Sequence, residues 1–238
     1  MTSPERGPVN LSDLDYPWLL SGPDTLQRTI ADKTRRIYDQ LARVYPVSTY
    51  FFHSKAHRCA LEVSGIEDGM RVLEVATGSG EMFRRLVGVN RSGETIGLDL
   101  SPNMAAHTQR RAQRDFPGAT VQCQAVDARM MPFRDEVFDA VVCCYLLELL
   151  SVQDIFTALR EFRRVLKRRG TFTLVLIGQN TEVFNRAYRL CGRLAPAFWG
   201  RQVEERVPEM IEATDFRILR DHKVRQGFYP SRVLCARK

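Results

Sequence analysis

The chain has 238 residues, 35 Lys and Arg against 28 Asp and Glu, and is 44% hydrophobic. That balance excludes collagen-like, low-complexity and wholly disordered chains, and a chain of this length buries a full core without disulfide or metal staples. The net charge of +7 admits an acidic partner, but it is spread over scattered arginine pairs, so nucleic acid is disfavoured.

The six cysteines, Cys59, Cys123, Cys143, Cys144, Cys191 and Cys235, form no CxxC pair and have no histidine at zinc spacing. Several lie in apolar runs, where cysteine acts as a small buried hydrophobe, and a reducing cytoplasm is expected. The opening residues carry acids and prolines where a signal peptide has a basic start and an apolar stretch. No apolar run approaches the ~20 residues of a bilayer span, so any membrane contact is expected to be peripheral.

In chain order, residues 1 to about 23 read as a proline-rich arm bearing Tyr16 and Trp18. Asp24 opens an amphipathic helix that Pro46 closes, and a second helix follows from Ser48 to about Ser64. From Met70 short apolar runs alternate with amphipathic segments: strand 71–76, helix 80–88, strand 94–100, helix 102–116, strands 119–126 and 138–145, helix 152–168 and strand 171–178. Almost wholly apolar strands separated by helices imply a parallel sheet covered on both faces. Helical patches at 180–194 and 202–213 then precede two strand-like runs, 216–225 and 228–237. Their close junction at Gln226-Gly227 predicts an antiparallel hairpin. The expected division is an arm with a helical lid, 1–64, and one α/β domain, 65–238.

Ligands of an open α/β sheet sit beyond the carboxyl ends of the strands. The first strand runs into Glu74-Val75-Ala76-Thr77-Gly78-Ser79-Gly80-Glu81, a small-residue turn opening a helix, and Asp99 ends the second strand about twenty residues on. That spacing suits a ribose held by a carboxylate beside a glycine turn. A dinucleotide fingerprint is broken, since Ala76, Gly78 and Glu81 stand at its glycine positions. Glu74 and Glu81 would also repel a pyrophosphate by ~1 kcal/mol or more each. S-adenosylmethionine carries no phosphate, and its ammonium and sulfonium are attracted by acids. Asp127 after the third strand, followed by Met130, Met131 and Phe133, suits an adenine amino group and ring.

From about Arg36 onward the chain resembles class I S-adenosylmethionine-dependent methyltransferases, nearest the ubiquinone/menaquinone-biosynthesis C-methyltransferase group. The carrying segments are Tyr38 to Tyr45, LEVATGSGE at 73–81, GLDLSPNM at 97–104, DARMMPF at 127–133, FDAVVCCYLLELL at 138–150 and FRRVLKRRGTFTLV at 162–175. The resemblance implies a Rossmann-like, seven-stranded, mostly parallel sheet, with helices on both faces and the last two strands an antiparallel hairpin. Ala76 suits the quinone subgroup, whereas Tyr145-Leu146-Leu147-Glu148 departs from its polar segment after strand four.

By the same resemblance Glu74, Gly78, Ser79 and Gly80 approach the methionine end of the cofactor, Ala76 belongs to the same cofactor-binding set, and Asp99 binds the ribose. Leu100 and Met104 flank the adenine, Asp127 and Ala128 meet its edge, and Cys144 closes the cofactor set. Tyr38 is expected to close over the donor methyl. Methyl transfer is an in-line displacement in which the protein supplies alignment and dryness. The product is S-adenosylhomocysteine. Where the acceptor must lose a proton, Tyr145, Glu148 and His53 are candidates, although a solvent-facing reading of His53 and His57 is favoured over a base or metal pair. Asp99→Ala is expected to weaken cofactor binding and leave the fold intact. The expected acceptor is a small molecule or lipid; an RNA methyltransferase and a binding protein without catalysis are the competing readings.

Overall fold

The computed structural model describes residues 45–178, 203–226 and 229–238, with side chains from residue 53 onward. The first described helix, α1, runs Tyr45–Ser64. Pro46 lies in its first turn, where the missing N–H has no partner to lose. The helix expected from Asp24, the patch at 180–194 and Gly227 lie outside the described residues.

The strands are β1 (Arg71–Val75), β2 (Glu94–Asp99), β3 (Thr120–Ala125), β4 (Phe138–Cys144), β5 (Leu166–Ile177), β6 (Arg217–Gln226) and β7 (Tyr229–Arg237). They form one seven-stranded sheet in the order β3-β2-β1-β4-β5-β7-β6. The first five are parallel, and β7 runs antiparallel to both β5 and β6, which is the expected hairpin. The helices α2 (Glu81–Val89), α3 (Pro102–Asp115), α4 (Val152–Val165) and α5 (Val207–Ala213) complete the Rossmann-like α/β fold.

Local chemistry sets the helix starts. Ser101 and Ser151 accept the backbone N–H of Met104 and Asp154 at 3.2 and 2.9 Å, capping α3 and α4, and Pro102 fills the first position of α3. At its far end α4 stops at Val165, three residues before the expected boundary. Arg169 there adopts φ 66°, and the β4–β5 register slips between Phe138 and Ala140, so LKRR enters the strand.

Strand alternation builds two buried layers. Leu73 and Val75 of β1 meet Ile155, Phe156, Leu159 and Phe162 of α4 on one face. On the other, Val72, Val142, Val175 and Val233 lie under Ala56 and Ala60 of α1 and Met82 and Leu86 of α2. Backbone contacts reinforce the seat of α1: Lys55 N–H donates to Gln226 Oε1 at 2.7 Å, and Thr171 Oγ1 donates to the Ser64 carbonyl at 2.8 Å. The chain winds outward from β1 to β3, then returns to β4 on the opposite side of β1. Such a reversal opens a crevice above the carboxyl ends of β1 and β4, the place where open sheets hold ligands.

Candidate active site

The turn leaving β1 is built from left-handed residues: Ala76, Gly78 and Gly80 have φ of 63°, 48° and 75°. Each needs glycine-like freedom, and Ala76 takes the conformation at a steric cost of about 1–2 kcal/mol. Thr77 N–H donates to the Leu98 carbonyl at 3.0 Å and Gly80 N–H to the Thr77 carbonyl at 2.8 Å, which ties the turn to β2 and tightens it. A side-chain carbon at Gly78 would meet no atom within 4 Å, so open space adjoins the backbone there, whereas one at Gly80 would strike Thr108 Oγ1 at 2.8 Å. Gly78 thus offers a face to a ligand and Gly80 answers to packing.

Asp99 organises this turn. Its Oδ2 accepts Gly78 N–H at 2.7 Å and its Oδ1 accepts Ser101 N–H at 2.9 Å. Behind it Glu74 is 1% exposed and its Oε2 has no partner. Burial, then the charge of Asp99, holds the Glu74 carboxyl well above the usual carboxylate range. Glu81 behaves differently from the sequence-level expectation. It is buried and paired with Arg111, Arg85 and Arg84 at 3.2, 3.4 and 3.6 Å, so its charge is offset, and the negative charge beside the turn is that of Asp99.

Across the crevice, Tyr145 follows β4 in a left-handed conformation, φ 56°. Its phenol shares a 2.9 Å hydrogen bond with Ser231 Oγ of β7, and its ring stacks on His53 with centroids 4.2 Å apart. Tyr229 lies 5.0 Å from the His53 ring and His57 lies 5.9 Å from it. The solvent-facing reading of the two histidines is overturned: His53 is 9% and His57 3% exposed. They share a helical face with Ala56 and Ala60, at spacings of three and four, and that face packs on the sheet. Burial lowers His53 to about 4; burial, His53 and Arg85 lower His57 to about 3. Burial thus keeps both imidazoles neutral.

Residues 72–170 match a family described as a methyltransferase domain. A 2-phytyl-1,4-naphtoquinone methyltransferase from a Nostoc species is 32% identical over 143 residues, 58% of this chain and 62% of the relative. The ubiquinone/menaquinone biosynthesis C-methyltransferase of Cellvibrio japonicus is 30% identical over 169 residues, 66% of this chain and 65% of its own. Over residues 72–170 the chain is thus similar to a methyltransferase domain, and over 58–66% of its length to these two quinone methyltransferases. These matches span less than two thirds of the relatives' own length. The methyltransferase fold recurs in the magnesium protoporphyrin IX methyltransferase of Synechocystis with bound S-adenosylhomocysteine. That likeness has a TM-score of 0.68 at 18% identity, covering 89% of this chain and 99% of that one.

Within the methyltransferase domain the residues singled out in the sequence gather on one edge of the sheet. Glu74 and the turn Ala76 to Gly80 end β1, Asp99 and Leu100 end β2, Asp127 and Ala128 follow β3, and Cys144 with Tyr145 ends β4. Leu100 is 42% and Met130 80% exposed, apolar surface suited to a ring. Met104 is 1% exposed. Asp127 is clamped by Arg129, which approaches its Oδ2 at 2.6 Å and reaches Asp154 at 2.8 Å. Burial raises the Asp127 carboxyl, and the bonds from Arg129 outweigh it and leave it below its ordinary value. Burial holds the Cys144 thiol neutral. Tyr38 lies outside the described residues. Ser231 and Tyr229 were not anticipated; they reach the site because β7 runs antiparallel and brings its first residues to the carboxyl ends of the parallel strands.

Proposed function

We propose that this protein transfers the methyl group of S-adenosylmethionine to a small, lipid-like acceptor by in-line displacement at the sulfonium-bound carbon. The observation that carries the reading is the turn Ala76 to Gly80, open at Gly78, held by Asp99 and backed by the unpartnered acid Glu74. In this reading Glu74 and Gly78 to Gly80 receive the methionine end, Asp99 the ribose, and Leu100 one face of the adenine. Ala128 and Asp127 lie at the ring's edge, with Ala76, Met104 and Cys144 shaping the floor.

Displacement at a sulfonium needs alignment and exclusion of water more than acid or base chemistry. The neutral rings of His53, Tyr145 and Tyr229 supply a dry wall for an uncharged acceptor. An imidazole pushed down to about 4 is a poor proton acceptor, so His53 serves as a wall, and Tyr145, fixed by Ser231, is the group placed to meet an acceptor hydroxyl. Tyr38 closing over the donor methyl belongs to this reading, as does a lid formed by residues 1–64. The relatives' names point to quinones, and a prenylated quinol is the first acceptor to try.

Nucleic acid is disfavoured by what its arginines do. Arg111 binds Glu81 and the Ser79 carbonyl, and Arg164 is consumed by Glu161, Asp135 and the carbonyls of Met131 and Phe133. Arg168 and Arg169 enter β5 at its amino end, opposite the crevice. The test is transfer from label-bearing S-adenosylmethionine in parallel reactions with prenylated quinol, lipid extract and total RNA. Label in the organic-soluble fraction is expected; label in RNA, or cofactor binding with no transfer to any acceptor, contradicts the proposal. No described helix is long and apolar enough to cross a membrane; contact with a lipid-borne acceptor from the surface is part of the proposal.

A further inference from the structure

Glu74 carries a question that alignment of the methyl donor leaves unanswered. It lies within the sheet, paired with Gly97 of β2 and Val142 of β4, on the face of β1 that carries Val72 under α1 and α2. It is 1% exposed and its Oε2 is without a donor. Isolated charge in such a place is strongly disfavoured by lost hydration.

The groups around it bring no compensating cation. Asp99 on β2 adds negative charge. Cys123 on β3, and Cys143 and Cys144 on β4, are thiols pushed up by burial. On α1, His53 and His57 are held neutral by burial. On α2, Arg84 and Arg85 are engaged by Glu81, as is Arg111 of α3. The missing counter-charge has to come from a ligand.

We infer that Glu74 is protonated in the empty site and that the cationic methionine end of the cofactor expels this proton on binding. The inference rests on the reading of the pocket as the S-adenosylmethionine site. The exchange balances: Glu74 gives one proton to the buffer, and its carboxylate pairs with an ammonium that enters already charged. Because that ammonium is common to S-adenosylmethionine and S-adenosylhomocysteine, both expel the proton. The sign follows from linkage: a ligand that binds the ionised acid competes with protons, so its affinity falls on acidification, by up to about tenfold per pH unit where the free acid is protonated.

The test is calorimetric titration with S-adenosylhomocysteine at about pH 6.5, where the ligand ammonium stays charged, in buffers of different ionisation enthalpy. The expected slope corresponds to roughly one proton released per cofactor bound in the wild type and none in Glu74→Gln. Infrared difference spectra of the wild type supply a second readout, since the C=O band of a protonated carboxyl should vanish on binding. Binding without proton release, or release that persists in Glu74→Gln, overturns the inference while the cofactor site stands. An absence of binding in every buffer overturns the site assignment itself.

Discussion

Replacing Asp99 separates two roles that the structure unites in one carboxylate. The sequence-level expectation was that Asp99→Ala weakens cofactor binding and leaves the fold intact. The carboxylate, however, also holds Gly78 N–H at 2.7 Å and Ser101 N–H at 2.9 Å, the latter at the cap of α3. Hydrogen bonds to a charged group contribute about 1.5–3 kcal/mol, and stranded donors cost about 1–3 kcal/mol. Asp99→Ala should therefore destabilise the cofactor-free protein by about 2 kcal/mol or more, in addition to weakening cofactor affinity about 10- to 150-fold. Asp99→Asn keeps one acceptor oxygen and turns an amide donor toward the other N–H, so its stability should fall between wild type and Asp99→Ala. Urea denaturation with and without S-adenosylhomocysteine reads both effects. An alanine variant with the wild-type midpoint in the absence of cofactor would refute the anchoring role, and one with unchanged affinity would move the ribose elsewhere.

Gly80→Ala should destabilise by about 2–4 kcal/mol, because the new carbon meets Thr108 Oγ1 at 2.8 Å at a φ of 75°; a denaturation midpoint like that of wild type would count against the turn geometry. Ala76→Gly should stabilise by up to about 1 kcal/mol by relieving a left-handed alanine, less the added freedom of the unfolded chain. Differential scanning calorimetry checks it, a lowered transition temperature being the adverse result. For His57 the folded state binds its proton only near pH 3, below the unfolded value of about 6.5. Between those limits the unfolded chain binds more protons and acid removes stability. His57→Gln should accordingly lose less stability than wild type between about pH 7 and pH 5. Glu148, raised to about 7 by burial, works in the opposite direction, so the variant-minus-wild-type difference is the quantity to compare; equal losses would contradict the buried, neutral imidazole.

Apolar runs such as RVLEV and FDAVVCC were legible as strands because both faces of central strands are buried, and the close junction after Gln226 made the antiparallel hairpin legible too. The turn after β1 and Asp99 were legible because their chemistry lies within about twenty residues of chain. What escaped depended on distant pairing. Glu81 meets Arg111 only because α2 and α3 lie side by side, and Ser231 meets Tyr145 only through the register of β7 on β5. The burial of His53 and His57 had a local signal in the small residues Ala56 and Ala60 on the same helical face, which marks close packing on a sheet. Their polarity argued the other way.

The central claim is that the crevice above β1 and β4 takes S-adenosylmethionine and not a dinucleotide. Isothermal titration of the full chain with S-adenosylmethionine and with NAD, under identical conditions, tests it most directly. Stoichiometric binding of S-adenosylmethionine with no saturable heat from NAD is the predicted result; saturation by NAD at comparable concentration, or a failure to bind S-adenosylmethionine, would contradict it.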